Sequence, residues 1–152
     1  MSSPKKTLVI GIGNPLRRDD AVGLAVAHWL KPRASQRLPI IEHDADGVDL
    51  LEAWRGMDHV FLIDAIRSGV APGSVRRFDA ANTALPTRWF PCSSHLIGVA
   101  EAVALARTLL RLPDQLIVYG IEGAEFGYGE VLSPAVASAV EKVGNTILEE
   151  IT

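Results

Sequence analysis

Three side chains stand where a chain of this kind would do chemistry: Asp20, Asp64 and His95. Asp20 follows the run Leu8-Val9-Ile10-Gly11-Ile12-Gly13-Asn14 and sits immediately before an Ala-rich stretch. Asp64 ends the apolar run Val60-Phe61-Leu62-Ile63, and His95 follows the short loop Pro91-Cys92-Ser93-Ser94. Carboxylates serve as oxygen ligands or general bases, and imidazole ligates metals or moves protons near neutral pH. One imidazole with two carboxylates makes a site for a borderline metal with coordination positions left open. Each residue also has a plainer reading. Asp20 could cap a helix, Asp64 could start a turn, and a lone histidine means little. Three equivalent junctions together say more than any one of them.

Other candidates are weaker. Gly11-Ile12-Gly13 after a strand invites a dinucleotide fingerprint, but that mechanism needs a third glycine opening the helix, and Leu16 stands there. The two glycines suit a tight backbone turn. Cys92 and Ser94 lack a nucleophile-elbow motif and read as loop residues. His28, His43 and His59 lie within or beside apolar elements and read as structural or surface residues. Residues 122–130, with acids at Glu122, Glu125 and Glu130 and aromatics at Phe126 and Tyr128, could bind a peptide or form an exposed, flexible connection.

These residues need elements to position them. Residues 7–11 are a β-branched apolar run, predicting a buried strand, and 21–30 predict a helix ending before Pro32. Residues 38–42 and 60–63 predict further strands around an amphipathic helix at 48–55. After the Ala71-Pro72-Gly73 turn, 74–78 predict an edge strand, since Arg76 and Arg77 would sit poorly at a sheet centre. Residues 82–94 read as loop, 95–110 as a helix on Leu96, Val99, Val103, Ala106 and Leu110, and 116–121 as another strand. Ser133-Pro134 has the form of a capped helix start, and Val136, Val140, Val143, Ile147 and Ile151 carry that helix to the end. Alternating strands and helices imply one domain over residues 1–152. The expected form is a three-layer α/β/α sandwich with a mostly parallel, about five-stranded twisted sheet, whose ligands collect at the carboxyl ends of the strands.

Composition narrows the function. Hydrophobic residues make up 48% and charged residues 22%, which argues for a folded core and against disorder. A net charge of −3 offers no basic face for nucleic acid. One cysteine excludes an intrachain disulfide and a four-cysteine zinc site. No run approaches the roughly 20 apolar residues of a membrane span, and the polar start is unlike a signal peptide. A reducing, cytoplasmic setting is expected.

The sequence resembles the [NiFe]-hydrogenase maturation endopeptidases, which trim a C-terminal extension from the hydrogenase large-subunit precursor. The likeness spans nearly the whole chain. It rests on Gly11-Ile12-Gly13-Asn14-Pro15-Leu16-Arg17-Arg18-Asp19-Asp20-Ala21-Val22-Gly23, on Asp64-Ala65, on Ser94-His95 with Gly98, and on Gly120-Ile121-Glu122 leading to Leu132-Ser133. The resemblance implies that Asp20, Asp64 and His95 are the catalytic set and contact nickel held by the precursor, with no tightly bound cofactor of the chain's own. It assigns substrate binding to Asn14, Asp44 and Glu122. Relatives often carry glutamate where Asp20 stands, which shortens the reach by one methylene here. Many also have Asp-Gly-Gly-Thr where this chain has Asp44-Ala45-Asp46-Gly47, which suggests a precursor from a different hydrogenase subgroup.

The expected function is therefore an endopeptidase acting on a nickel-loaded large-subunit precursor, with the metal as the signal that insertion is complete. A metal can polarise the scissile carbonyl or acidify a bound water, and a carboxylate can act as general base; the residues leave both routes open. Two competing readings are a non-catalytic chaperone that checks the same metal-loaded subunit, and a general metal-dependent hydrolase.

Overall fold

The computed structural model describes residues 4–44, 46–90 and 97–151. The strands are β1 (Thr7–Ile12), β2 (Ile40–His43), β3 (His59–Ile66), β4 (Val75–Asp79) and β5 (Gln115–Glu122). The α-helices are α1 (Val22–Leu30), α2 (Gly47–Ala53), α3 (Val99–Thr108) and α4 (Pro134–Ile151). The strands form one sheet in the order β2-β1-β3-β5-β4, parallel except for β4. The arginine-bearing β4 is an edge strand, as its charges predict.

Strand alternation sorts the core into two layers. Leu8, Ile10 and Ile12 of β1, Val60 and Leu62 of β3 and Leu116 and Val118 of β5 pack with Leu50, Leu51, Val99 and Val103 of α2 and α3. Val9, Phe61, Ile63, Ile117 and Tyr119 pack on the other face with Val22, Val26, Val136, Val143 and Ile147 of α1 and α4. The end of α4 is fastened to β4 and β5: Arg77 donates to the Glu150 carboxylate from Nε at 3.0 Å and Nη2 at 2.7 Å, and the Tyr119 hydroxyl donates to the same group.

Element ends shift by a residue or two in several places, and two boundaries differ in ways that bear on the site. β3 runs on through Asp64 to Ile66, because Ala65 and Ile66 pair with Ile121 and Glu122 of β5; Asp64 therefore lies inside the strand, opposite Gly120. The third helix starts at Val99 rather than at residue 95. Gly98, extended at φ −75° and ψ 179°, is its N-cap, and the Ile97 carbonyl accepts from Gly47 N–H at 3.0 Å, which ties that segment to α2.

At the far end of α3 the chain reverses through Leu110 at φ +56°. Arg111 N–H bonds the Ala106 carbonyl and Leu110 N–H bonds that of Arg107, the paired pattern of a Schellman cap, whose left-handed position favours glycine. Leu110 is 92% exposed, so its side chain gives little packing in return for the strain. Leu110→Gly is expected to stabilise the fold by about 0.5–1 kcal/mol, read as a higher midpoint in thermal melting.

Candidate active site

The loop after β1 is shaped by its own polar groups. Asn14 Oδ1 accepts from Leu16 N–H at 2.9 Å and the Asn14 carbonyl accepts from Arg17 N–H at 3.2 Å, closing a turn. A 3-10 turn over Arg18–Ala21 then leads into α1. Asp20 does not cap that helix. Its Oδ2 instead accepts from the Asn14 N–H at 2.9 Å, folding the loop back on itself. A Cβ on Gly13 would lie 2.1 Å from the Asp20 carbonyl oxygen, so glycine there lets the turn cross the strand end. A Cβ on Gly11 would lie 2.2 Å from the Gly23 carbonyl oxygen, and one on Gly23 2.2 Å from that of Ile63. These glycines bring α1 against β1 and β3, a packing role beyond the tight turn their sequence suggests.

That approach brings Asp20 within electrostatic reach of Asp64, which is 5% exposed at the carboxyl end of the sheet. Burial, and then the charge of Asp20, push the Asp64 carboxyl well above the ordinary carboxylate range; an Ala65 N–H bond at 2.9 Å offsets only part of this. Burial raises the Asp20 pKa as well, against the opposing pull of the Asn14 N–H and the Arg17 charge. The two acids are thus like charges within reach of each other, Asp64 buried and Asp20 half-buried, a setting in which a nearby cation is favoured. Among the described residues no three His, Cys, Asp or Glu side chains converge into a metal cluster. His95, the third member of the expected set, lies outside the described residues.

The other expected site residues are placed as follows. Asn14 lies beside Asp20 and shapes its loop. Asp44 is exposed just past β2, where its Oδ1 accepts from Asp46 N–H at 3.2 Å. Asp46 in turn accepts from Val48 N–H and caps α2. Glu122 is buried at the end of β5, its carboxylate accepting from Ser68 N–H, from the Ser68 hydroxyl at 2.6 Å and from Gly69 N–H. It thereby holds the loop that follows β3.

Asp19 is the residue that sequence reasoning passed over. It is fully buried, and its carboxylate accepts four hydrogen bonds: Ala124 N–H and Glu125 N–H at 2.8 Å, and Ser133 N–H and the Ser133 hydroxyl at 2.7 Å. Burial works against its charge, but these donors outweigh it and hold the pKa below the ordinary value. Ser133, expected as a helix cap, gives its hydroxyl proton to Asp19. Backbone bonds reinforce the join: Asp19 N–H to the Glu125 carbonyl, Arg18 N–H to that of Gly129, and Gly129 N–H to that of Leu16, each at 2.9 Å. The acidic loop is therefore latched to the loop that carries Asp20.

Comparison with known proteins bears on the family and the fold. A family model described as hydrogenase maturation protease matches residues 24–150. The Hydrogenase 2 maturation protease of Escherichia coli K12 is 30% identical over 149 residues, covering 94% of this chain and 88% of its own length. A hydrogenase expression/formation protein, HupD, of Thiocapsa roseopersicina is 26% identical over 98% of this chain and 69% of its own. Among solved structures, the hydrogenase maturating endopeptidase HybD from E. coli superposes with a TM-score of 0.79 at 24% identity, covering 96% of this chain and 91% of that one. The [NiFe] hydrogenase maturation protease HycI from Thermococcus kodakarensis gives 0.72 at 22% identity, covering 95% and 91%. Both share the five-stranded fold.

Proposed function

The chain belongs to the hydrogenase maturation protease family, which makes it a peptidase, and from that premise we propose that it removes the C-terminal extension of a nickel-loaded [NiFe]-hydrogenase large-subunit precursor. The observation that carries the reading is the pair of acids at the carboxyl edge of the sheet, where the charge of Asp20 bears on buried Asp64. Ionising Asp64, shut away from water, beside the half-buried Asp20 is unfavourable without a positive partner. Nickel held by the precursor supplies that charge, with His95 as the third contact, Asn14 and Asp44 on the peptide side, and Glu122 acting through the Ser68–Gly69 loop that its buried carboxylate holds. An empty precursor brings no cation to the pair, so engagement waits on metal insertion. Among the described residues no helix is long and apolar enough to cross a membrane. We place the activity in the cytoplasm on the single cysteine, which fits a reducing compartment.

Purified protein is expected to cut nickel-loaded precursor and to leave the nickel-free form intact, read by the mass of the precursor and of the released peptide. Equal cleavage of both forms would sink the metal gate. Unchanged mass for both forms would favour a chaperone that checks the metal without cutting.

A further inference from the structure

The loop fixed by Asp19 carries apolar surface that the fold leaves uncovered. Tyr128 is 83% exposed and Val131 70%, and Leu16, across the Leu16–Gly129 hydrogen bond, is 55% exposed. The Arg17 guanidinium lies 4.9 Å from the centre of the Tyr128 ring, and Arg18 Nε donates to the Val131 carbonyl at 3.3 Å. A solvated connection needs no buried carboxylate to hold it. A surface that must receive another protein gains from being fixed beforehand, because ordering a loop on binding subtracts from affinity. Exposed tyrosine with aliphatic neighbours is the composition of a binding patch.

We propose that Leu16, Tyr128 and Val131 form a ready-made ridge on which the folded body of the hydrogenase precursor seats, with Asp19 as the positioning residue that holds it beside Asp20. This rests on the function proposed above. The precursor is the occupant because the ridge is tied to the acid pair through one loop: Leu16 lies four residues before Asp20, and Asp20 shares a short turn with Asp19, whose bonds hold the loop bearing Tyr128 and Val131. A substrate whose metal reaches Asp20 lies across this surface.

The test measures processing of nickel-loaded large-subunit precursor by the full chain. A triple variant, Leu16→Ser with Tyr128→Ser and Val131→Ser, alters only exposed side chains and is expected to raise KM by about tenfold or more, leaving kcat within about twofold. Leu109→Ser, an exposed apolar residue at the opposite end of the sheet, leaves both parameters as they were. Asp19→Asn places an amide against four donors; it is expected to raise KM in the same way and to speed hydrogen exchange at the Ala124 and Glu125 amides. An unchanged KM in the triple variant, or a loss confined to kcat, overturns the ridge while the protease reading stands. Failure of the parent protein to process the precursor overturns that reading and the occupant with it. A parent that sediments as a dimer, and a triple variant that does not, would assign the ridge to a second copy instead.

Discussion

Replacing Asp64 with asparagine is expected to silence precursor processing and, at neutral pH, to leave a protein harder to melt than its parent. The two effects share a cause. In the function proposed above this carboxylate meets the precursor's metal, and its loss should lower processing by roughly a hundred- to a thousandfold, the range for removing one polar group aimed at a reacting centre. The same carboxylate is disfavoured in the folded chain by burial and by the charge of Asp20. Because the folded pKa is raised, its contribution to stability is intact below the ordinary value of 3.8 and is lost as pH rises through the folded value. Asparagine has the shape of the protonated acid, can keep the Ala65 N–H bond through its carbonyl, and never ionises. The melting curves of parent and variant should therefore converge in acid and separate toward neutral pH, at about 2–4 °C for each kcal/mol in a chain of this size. Comparing the pair isolates Asp64 from Asp19, whose lowered pKa acts in the opposite sense and whose contribution fades as pH falls. An asparagine variant that processes precursor at the parental rate would remove Asp64 from the site.

Gly23→Ala should do more damage to the fold than any single surface change. The new Cβ would sit 2.2 Å from the Ile63 carbonyl oxygen and 2.3 Å from that of Ile12, both main-chain atoms of central strands that cannot step aside. Relief requires α1 to lift from the sheet, opening the contacts of Val22 and Val26 with Val9 and Ile63. A loss above about 3 kcal/mol is expected, against a total of roughly 5–15 kcal/mol for a domain. That corresponds to a drop of roughly 6–12 °C in melting temperature. Gly127→Ala, whose Cβ meets nothing within 4 Å, provides the contrast and should stay within about 0.5 kcal/mol of the parent. A near-parental melt for Gly23→Ala would mean that α1 tolerates more space than this packing allows.

The order of strands and helices was readable because each element carries its own period: continuous apolar runs for the buried parallel strands, and every third or fourth residue for the helices. Even the edge position of β4 followed from Arg76 and Arg77. Boundaries failed where a polar residue interrupts an element that tertiary pairing continues. Asp64 looks like a strand end in one dimension, yet β5 carries the pairing two residues past it. In the helix beginning at Val99, the apolar periodicity extends back to Leu96, but the extended backbone of Gly98 stops the helix there. Within the candidate site, the approach of Asp20 to Asp64 was legible from the apolar strand runs that each of them follows. Asp19 was not, because all of its partners lie more than 100 residues away and no local pattern encodes them. An acid doublet before a helix is one too many for capping, and that surplus was the available signal.

The distance spanned by the Asp19 latch also bears on when this protein becomes competent during its own synthesis. The bonds joining Asp19 to Ala124 and Ser133 close loops of 105 and 114 residues. Long-range closures of this kind form late, after the elements between them are in place. A nascent chain could build β1, α1 and β3, and so bring Asp20 and Asp64 together, while the loop that completes their surroundings is still inside the ribosome. The acid pair would exist before its seat does. Recognition of a partner is thereby deferred until Ala124, Glu125 and Ser133 have been made and have reached Asp19.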